Sequence, residues 1–195
     1  MKYPDPYELL DWASNLGLER KIPVNLSAIC TSLGIHFIQS EFTALGSIDI
    51  NEVGEIEIKL NSEMVCSKKR FVTAMLLGHY WRYLAQPKRV IFSKTDLPKY
   101  EVTQIVYPYL SFKHSYEEFA YSLFASQLLM PSKAVSIRLS LGKYKQPSLI
   151  KVIKSASDFK VPVNVMIQRL ESLSLNRDTS IFNALLLRLH RLLKY

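Results

Sequence analysis

From Ser67 to Ala85 the chain runs without a proline and reads as one long apolar helix. Its centre carries Phe71, Val72, Ala74, Met75, Leu76, Leu77, Tyr80 and Trp81, and Met75 and Leu76 are read as core. The most apolar stretches, Thr73–Leu77 and Ala184–Leu187, are far shorter than the roughly 20 residues a bilayer span needs. The helix therefore has to be covered by the rest of the chain. A chain of 195 residues can do this, because at that size roughly 70% of the unfolded surface is buried on folding.

The flanking sequence supplies the cover. Residues 5–17 read as a helix with Leu9, Leu10, Trp12, Ala13 and Leu16 at helical spacing and Gly17 as its stop. Asn25 is a candidate N-cap for a second helix through Leu33, ended by Gly34. Three strand candidates follow, Ile35–Gln39, Gly46–Ile50 and Glu55–Leu60, with Asn51-Glu52-Val53-Gly54 as a hairpin turn. Residues 86–114 read as irregular, a length that implies a lid, a binding loop or partial strand. A helix from Ser115 to Leu129 stops at Met130-Pro131, and further helices are expected over 132–141, 147–158, 163–173 and 179–194. The class is α+β: helix-rich, with a small antiparallel sheet near the N-terminus and an all-helical C-terminal part. The division is 1–131, then a helical subdomain over 132–195 packed on it.

Cys30 and Cys66 are the two cysteines and form no CxxC, so a disulfide scaffold is not expected and a reducing cytoplasm fits. Cys30 reads as a buried small hydrophobe. Cys66 precedes Lys68-Lys69-Arg70 and reads as an ordinary thiol. No apolar signal region opens the chain. Lys and Arg number 25 against 17 Asp and Glu, a formal net charge of +8. That balance attracts nucleic acid, anionic lipid or an acidic partner, and a solvated surface explains it equally well.

The string Arg70-Phe71-Val72-Thr73-Ala74-Met75-Leu76-Leu77-Gly78-His79-Tyr80 resembles the zinc helix of the ImmA/IrrE-like metallopeptidases, approximately R-F-T/S-x-A-H-E-x-G-H. The resemblance extends in order over about residues 22–175. It includes Ile22-Pro23-Val24-Asn25-Leu26, Ile58-Lys59-Leu60-Asn61, Phe124-Ala125, Leu128-Leu129-Met130-Pro131, and Phe159-Lys160-Val161 with Arg169-Leu170. It implies a zincin-like fold and a cytoplasmic protein linked to helix-turn-helix transcription regulators. In such a site two His at i and i+4 chelate zinc and the Glu beside the first acts as general base. Aligned on the motif, the first His position is Met75, the base position Leu76, the second His is His79, and the third-ligand position is Ala120. A thioether is a poor zinc ligand and leucine cannot take a proton, so no zinc, no other cofactor and no hydrolysis are expected. Glu117, on the face of Ala120, is the weak candidate for a relocated ligand beside His79, with Glu118, His114 and Cys66 also considered.

The expected function is a non-catalytic pseudo-peptidase that binds a protein partner, with a transcription regulator as the implied class. Tyr83, Tyr100, Tyr107, Tyr109, Arg82 and Arg89 are its candidate contacts, since Tyr and Arg are favoured interface anchors. The same aromatics can stack single-stranded nucleic acid or simply pack a long loop. His79 has its own plain reading, a core or cleft histidine bonded to backbone. Residues 148–173 have helix–turn–helix spacing, but Val163–Leu173 offers only Asn164, Gln168 and Arg169 to a groove, so internal packing is the better account. The last helix sets Leu185, Leu189, Leu192 and Leu193 on one side, fit for its own core or for a homo-oligomer seam. The alternatives to the pseudo-peptidase are a nucleic-acid-binding protein and a metallopeptidase with relocated ligands.

Overall fold

The computed structural model describes residues 4–19, 21–84, 97–105, 116–139 and 147–173. Asp5 caps α1 (Pro6–Asn15) by accepting a hydrogen bond from the Tyr7 amide at 2.8 Å, with Pro6 preset for the first turn. Asn25 does the same for α2 (Leu26–Ser32), accepting from the Ala28 amide at 3.1 Å. Gly34 then takes φ +68°, the left-handed turn that sends the chain into β1 (Ile35–Ser40).

The sheet is mixed, which corrects the expectation of an antiparallel one. Its order is β1, β3 (Ile56–Asn61), β2 (Gly46–Ile50), β4 (Tyr100–Val102), with β1 parallel to β3 and β2 antiparallel to both its neighbours. The physical reason lies in the turn at Asn51. Its Oδ1 accepts from the amides of Val53 and Glu55, closing β2 and β3 into a hairpin. The outer edge of β3 is left with unpaired backbone groups, which β1 satisfies by lying alongside in the same direction. The crossover from β1 to β2 is held by Asn61, whose Nδ2 donates to the Phe42 carbonyl at 2.6 Å. β4 lies within the stretch read as irregular, as the partial strand that reading allowed. Three residues are too few to show alternation.

Across the sheet lies α3 (Cys66–Leu84), and α4 (Tyr116–Leu129) packs on its other side. Sheet, α2 and α4 enclose α3 so fully that every residue from Phe71 to Trp81 is buried. Gly46 makes the helix-to-sheet approach possible. A Cβ there would meet Val72 Cγ1 at 2.7 Å and the Lys59 carbonyl oxygen at 3.1 Å.

The C-terminal part comprises α5 (Ser132–Leu139), α6 (Leu149–Phe159) and α7 (Val163–Leu173). Lys160 in the left-handed region caps α6 and turns the chain into α7. One continuous core cluster runs from Leu9 to Leu170 across the 131/132 boundary. Gln168 and Arg169 are buried, and Arg169 Nε donates to the Met130 carbonyl at 3.0 Å. Two of the three side chains a groove-reading helix would need are therefore buried, and Asn164 is half-buried. The expected helix over 179–194 lies outside the described residues. Among the described residues no helix is long and apolar enough to cross a membrane.

Candidate functional site

His79 sits near the C-terminal end of α3, where that helix meets both α4 and the short segment entering β4. Its two ring nitrogens are engaged by protein. Nε2 lies 2.9 Å from the Pro98 carbonyl oxygen. A carbonyl only accepts, so Nε2 carries the proton and Nδ1 is the acceptor. The Tyr121 hydroxyl, 3.2 Å away, donates to Nδ1. The Tyr121 oxygen in turn accepts from Arg82 Nη1 at 2.8 Å, and the same nitrogen donates to Glu117 Oε1 at 2.7 Å. A continuous polar chain thus links Arg82, Tyr121, His79 and the Pro98 carbonyl.

Aromatic rings close round the imidazole. Tyr100 stacks on it with centroids 4.8 Å apart and planes at 12°, and Tyr121 meets it edge-on at 5.4 Å. Tyr83 lies tilted at 5.0 Å. Burial lowers the His79 pKa to about 4, against the upward pull of the Pro98 carbonyl and of Glu117. Burial also lifts the Tyr121 hydroxyl to about 12, although Arg82 opposes it. Tyr100 is raised as well, chiefly by burial, and its buried hydroxyl has no hydrogen-bond partner among the described residues.

The positions aligned with zinc ligands are apolar and packed. Met75 and Leu76 are fully buried, and Ala120 is buried on α4. The Met75 sulfur takes a 3.7 Å contact from the Ser122 hydroxyl. These residues do not fit a zinc ion. The His79 Nδ1 lone pair is engaged by Tyr121, its Nε2 is protonated toward Pro98, and no anionic or imidazole donor stands at 75, 76 or 120. Glu117 is turned to Arg82, and no group of three or more His, Cys, Asp or Glu gathers among the described residues. Cys66 is exposed and Cys30 is buried, the latter with its thiol pKa pushed up to about 12 by burial.

Of the candidate partner contacts, Tyr83 and Tyr100 lie against the His79 ring and Arg82 reaches Tyr121, and all three are half-buried. Tyr107, Tyr109, Arg89 and His114 lie outside the described residues. Tyr121 was not singled out from sequence as a partner for His79. They stand 42 positions apart, and no spacing rule joins them.

Gly78 sets how closely the two helices approach. A Cβ there would meet Phe124 Cδ1 at 2.8 Å and its Cγ at 3.0 Å, and the Phe124 ring is buried with no room to swing. Gly78→Ala should therefore lower stability by about 1–2 kcal/mol, overpacking outweighing the gain in helix propensity. A lower urea midpoint at unchanged slope is the expected readout, and an unchanged or higher midpoint would contradict it. No protein-family model matches the chain, and no curated protein matches it.

Proposed function

We propose that this chain is a non-catalytic member of the ImmA/IrrE-like metallopeptidases, a zincin-like scaffold that acts inside the cell as a regulatory protein-binding module. Its partner class is a transcription regulator, bound without being cut. The observation that carries the reading is the state of His79, the one ligand-type residue left at the aligned ligand positions. Both its nitrogens are hydrogen-bonded within the protein, and the remaining motif positions are hydrocarbon or thioether. Such a helix has no group to polarise water and none to receive its proton.

Purified protein should hold substoichiometric zinc and leave both casein and the native regulators intact. Affinity capture from the native cell, read by mass spectrometry, should return the same regulator uncut from repeated preparations. About one zinc per chain, lost to a chelator together with proteolysis, would end the reading. So would capture that returns no regulator reproducibly.

A further inference from the structure

Away from His79, an apolar cavity of about 390 Å³ opens where α1, the 18–25 segment, α2 and α5 meet. Its walls come from four segments: Leu10 and Ala13 of α1, Val24 of the connecting segment, Ile29 of α2, and Ala134 and Ile137 of α5. A cavity of this volume with predominantly aliphatic walls and few polar groups has the make-up of a small-molecule site. Enclosure by four segments also distinguishes it from an open furrow between two helices, the shape a partner helix needs.

The rim shows that this apolar surface is not closed by the described residues. Ile22 is 40% exposed and Ile137 is 70% exposed, both at the edge of the cavity. Among the described residues three charged ones line it: Glu19, Lys21 and Lys133. Glu19 and Lys21 neutralise each other as an ion pair. Lys133 is exposed and has no ion-pair partner among the described residues, so it presents a positive charge at the mouth. An apolar hole with a cation at its lip is complementary to a molecule with a hydrocarbon body and an anionic end.

We propose that this cavity binds a medium-chain aliphatic carboxylate, its chain among Leu10, Val24, Ile29 and Ala134 and its carboxylate at the mouth beside Lys133. The site is independent of the motif helix and does not require the pseudo-peptidase reading.

Decanoate, titrated into the full-length protein by calorimetry and by chemical-shift perturbation, is the direct probe. Saturable binding of one decanoate per chain is expected, with shifts centred on α1 and α5. Ala134→Phe, which places a ring in the cavity from a half-buried position, should weaken binding by at least about tenfold, since the aliphatic body carries most of the affinity. Lys133→Ala, at an exposed position that leaves folding unaffected, should weaken it by about two- to fivefold, the scale of an exposed ion pair. Decanol should bind the wild-type protein more weakly than decanoate and be indifferent to Lys133→Ala. Circular dichroism of both variants separates loss of binding from loss of fold. No saturable binding in the millimolar range, or shifts scattered over the surface, overturns the proposal. So does equal affinity for decanol and decanoate, or self-association abolished by Ile137→Asp, which would mark the face as a contact between copies of the chain.

Discussion

Leu76→Glu, which restores a carboxylate at the general-base position, is expected to destabilise the protein by about 3–5 kcal/mol at pH 7, without producing hydrolysis. Leu76 is fully buried at the centre of α3, which the sheet, α2 and α4 enclose. A carboxylate at this fully buried apolar position must either desolvate as an anion or stay protonated. Either route costs several kcal/mol, and the lost packing of Leu76 adds to it. Against a total stability of about 5–15 kcal/mol, the variant should be largely unfolded or show a much reduced urea midpoint. The pH dependence identifies the cause. Burial raises the folded-state pKa of the new carboxyl above its unfolded value of about 4.3, so the deficit should shrink as pH falls from 7 through about 4.3 and level off below it. Leu76→Met keeps the volume and should cost less than about 1.5 kcal/mol. A Leu76→Glu protein with wild-type midpoint at pH 7 would mean that water reaches position 76 in the folded protein.

How far the sequence discloses this interface differs residue by residue. The apolar run in α3 announces a helix covered on all sides, and the structure covers it with sheet and α4. Asn25, Gly34 and the turn at Asn51 act through local hydrogen bonds or backbone angles, and local chemistry is legible one position at a time. The parallel pairing of β1 with β3 is not local. It depends on which edge of a hairpin is left unsatisfied after folding, and neither strand's pattern records that. The surroundings of His79 are harder still. Arg82 and Tyr100 look from sequence like exposed anchors, because tyrosine and arginine suit both an interface and an aromatic core. The convergence of α3, α4 and β4 sets both beside Tyr121, half-buried, and no spacing along the chain records that. Gly78 carries a signal of its own: a glycine inside a helix costs about 1 kcal/mol against alanine, and at this point the Phe124 ring gives the reason.

Acid should weaken the protein through His79 over a definite window. In the unfolded chain its pKa is the ordinary 6.5, and burial brings it down to about 4 in the fold. The folded form therefore holds the neutral ring, and stability from this group is complete above about pH 6.5. As pH falls from there to about 4, the unfolded chain takes up a proton that the fold refuses, so stability drops with pH. The separation of the two values corresponds to about 3 kcal/mol, reached near pH 4 and constant below it. The hydrogen bonds fix the direction. Protonating Nδ1 would turn the acceptor of the Tyr121 hydroxyl into a second donor and place a cation beside Arg82. His79→Gln provides the comparison, because its amide can still donate toward Pro98 but does not titrate. Urea titrations at intervals between pH 7 and pH 4 should show wild-type stability falling by about 3 kcal/mol more than that of His79→Gln, with carboxylate effects common to both. Parallel curves would mean that the imidazole is already solvated in the native state. A wild-type curve that rises toward acid would mean that the ring is held as a cation, and the chain of hydrogen bonds through Tyr121 would have to be redrawn.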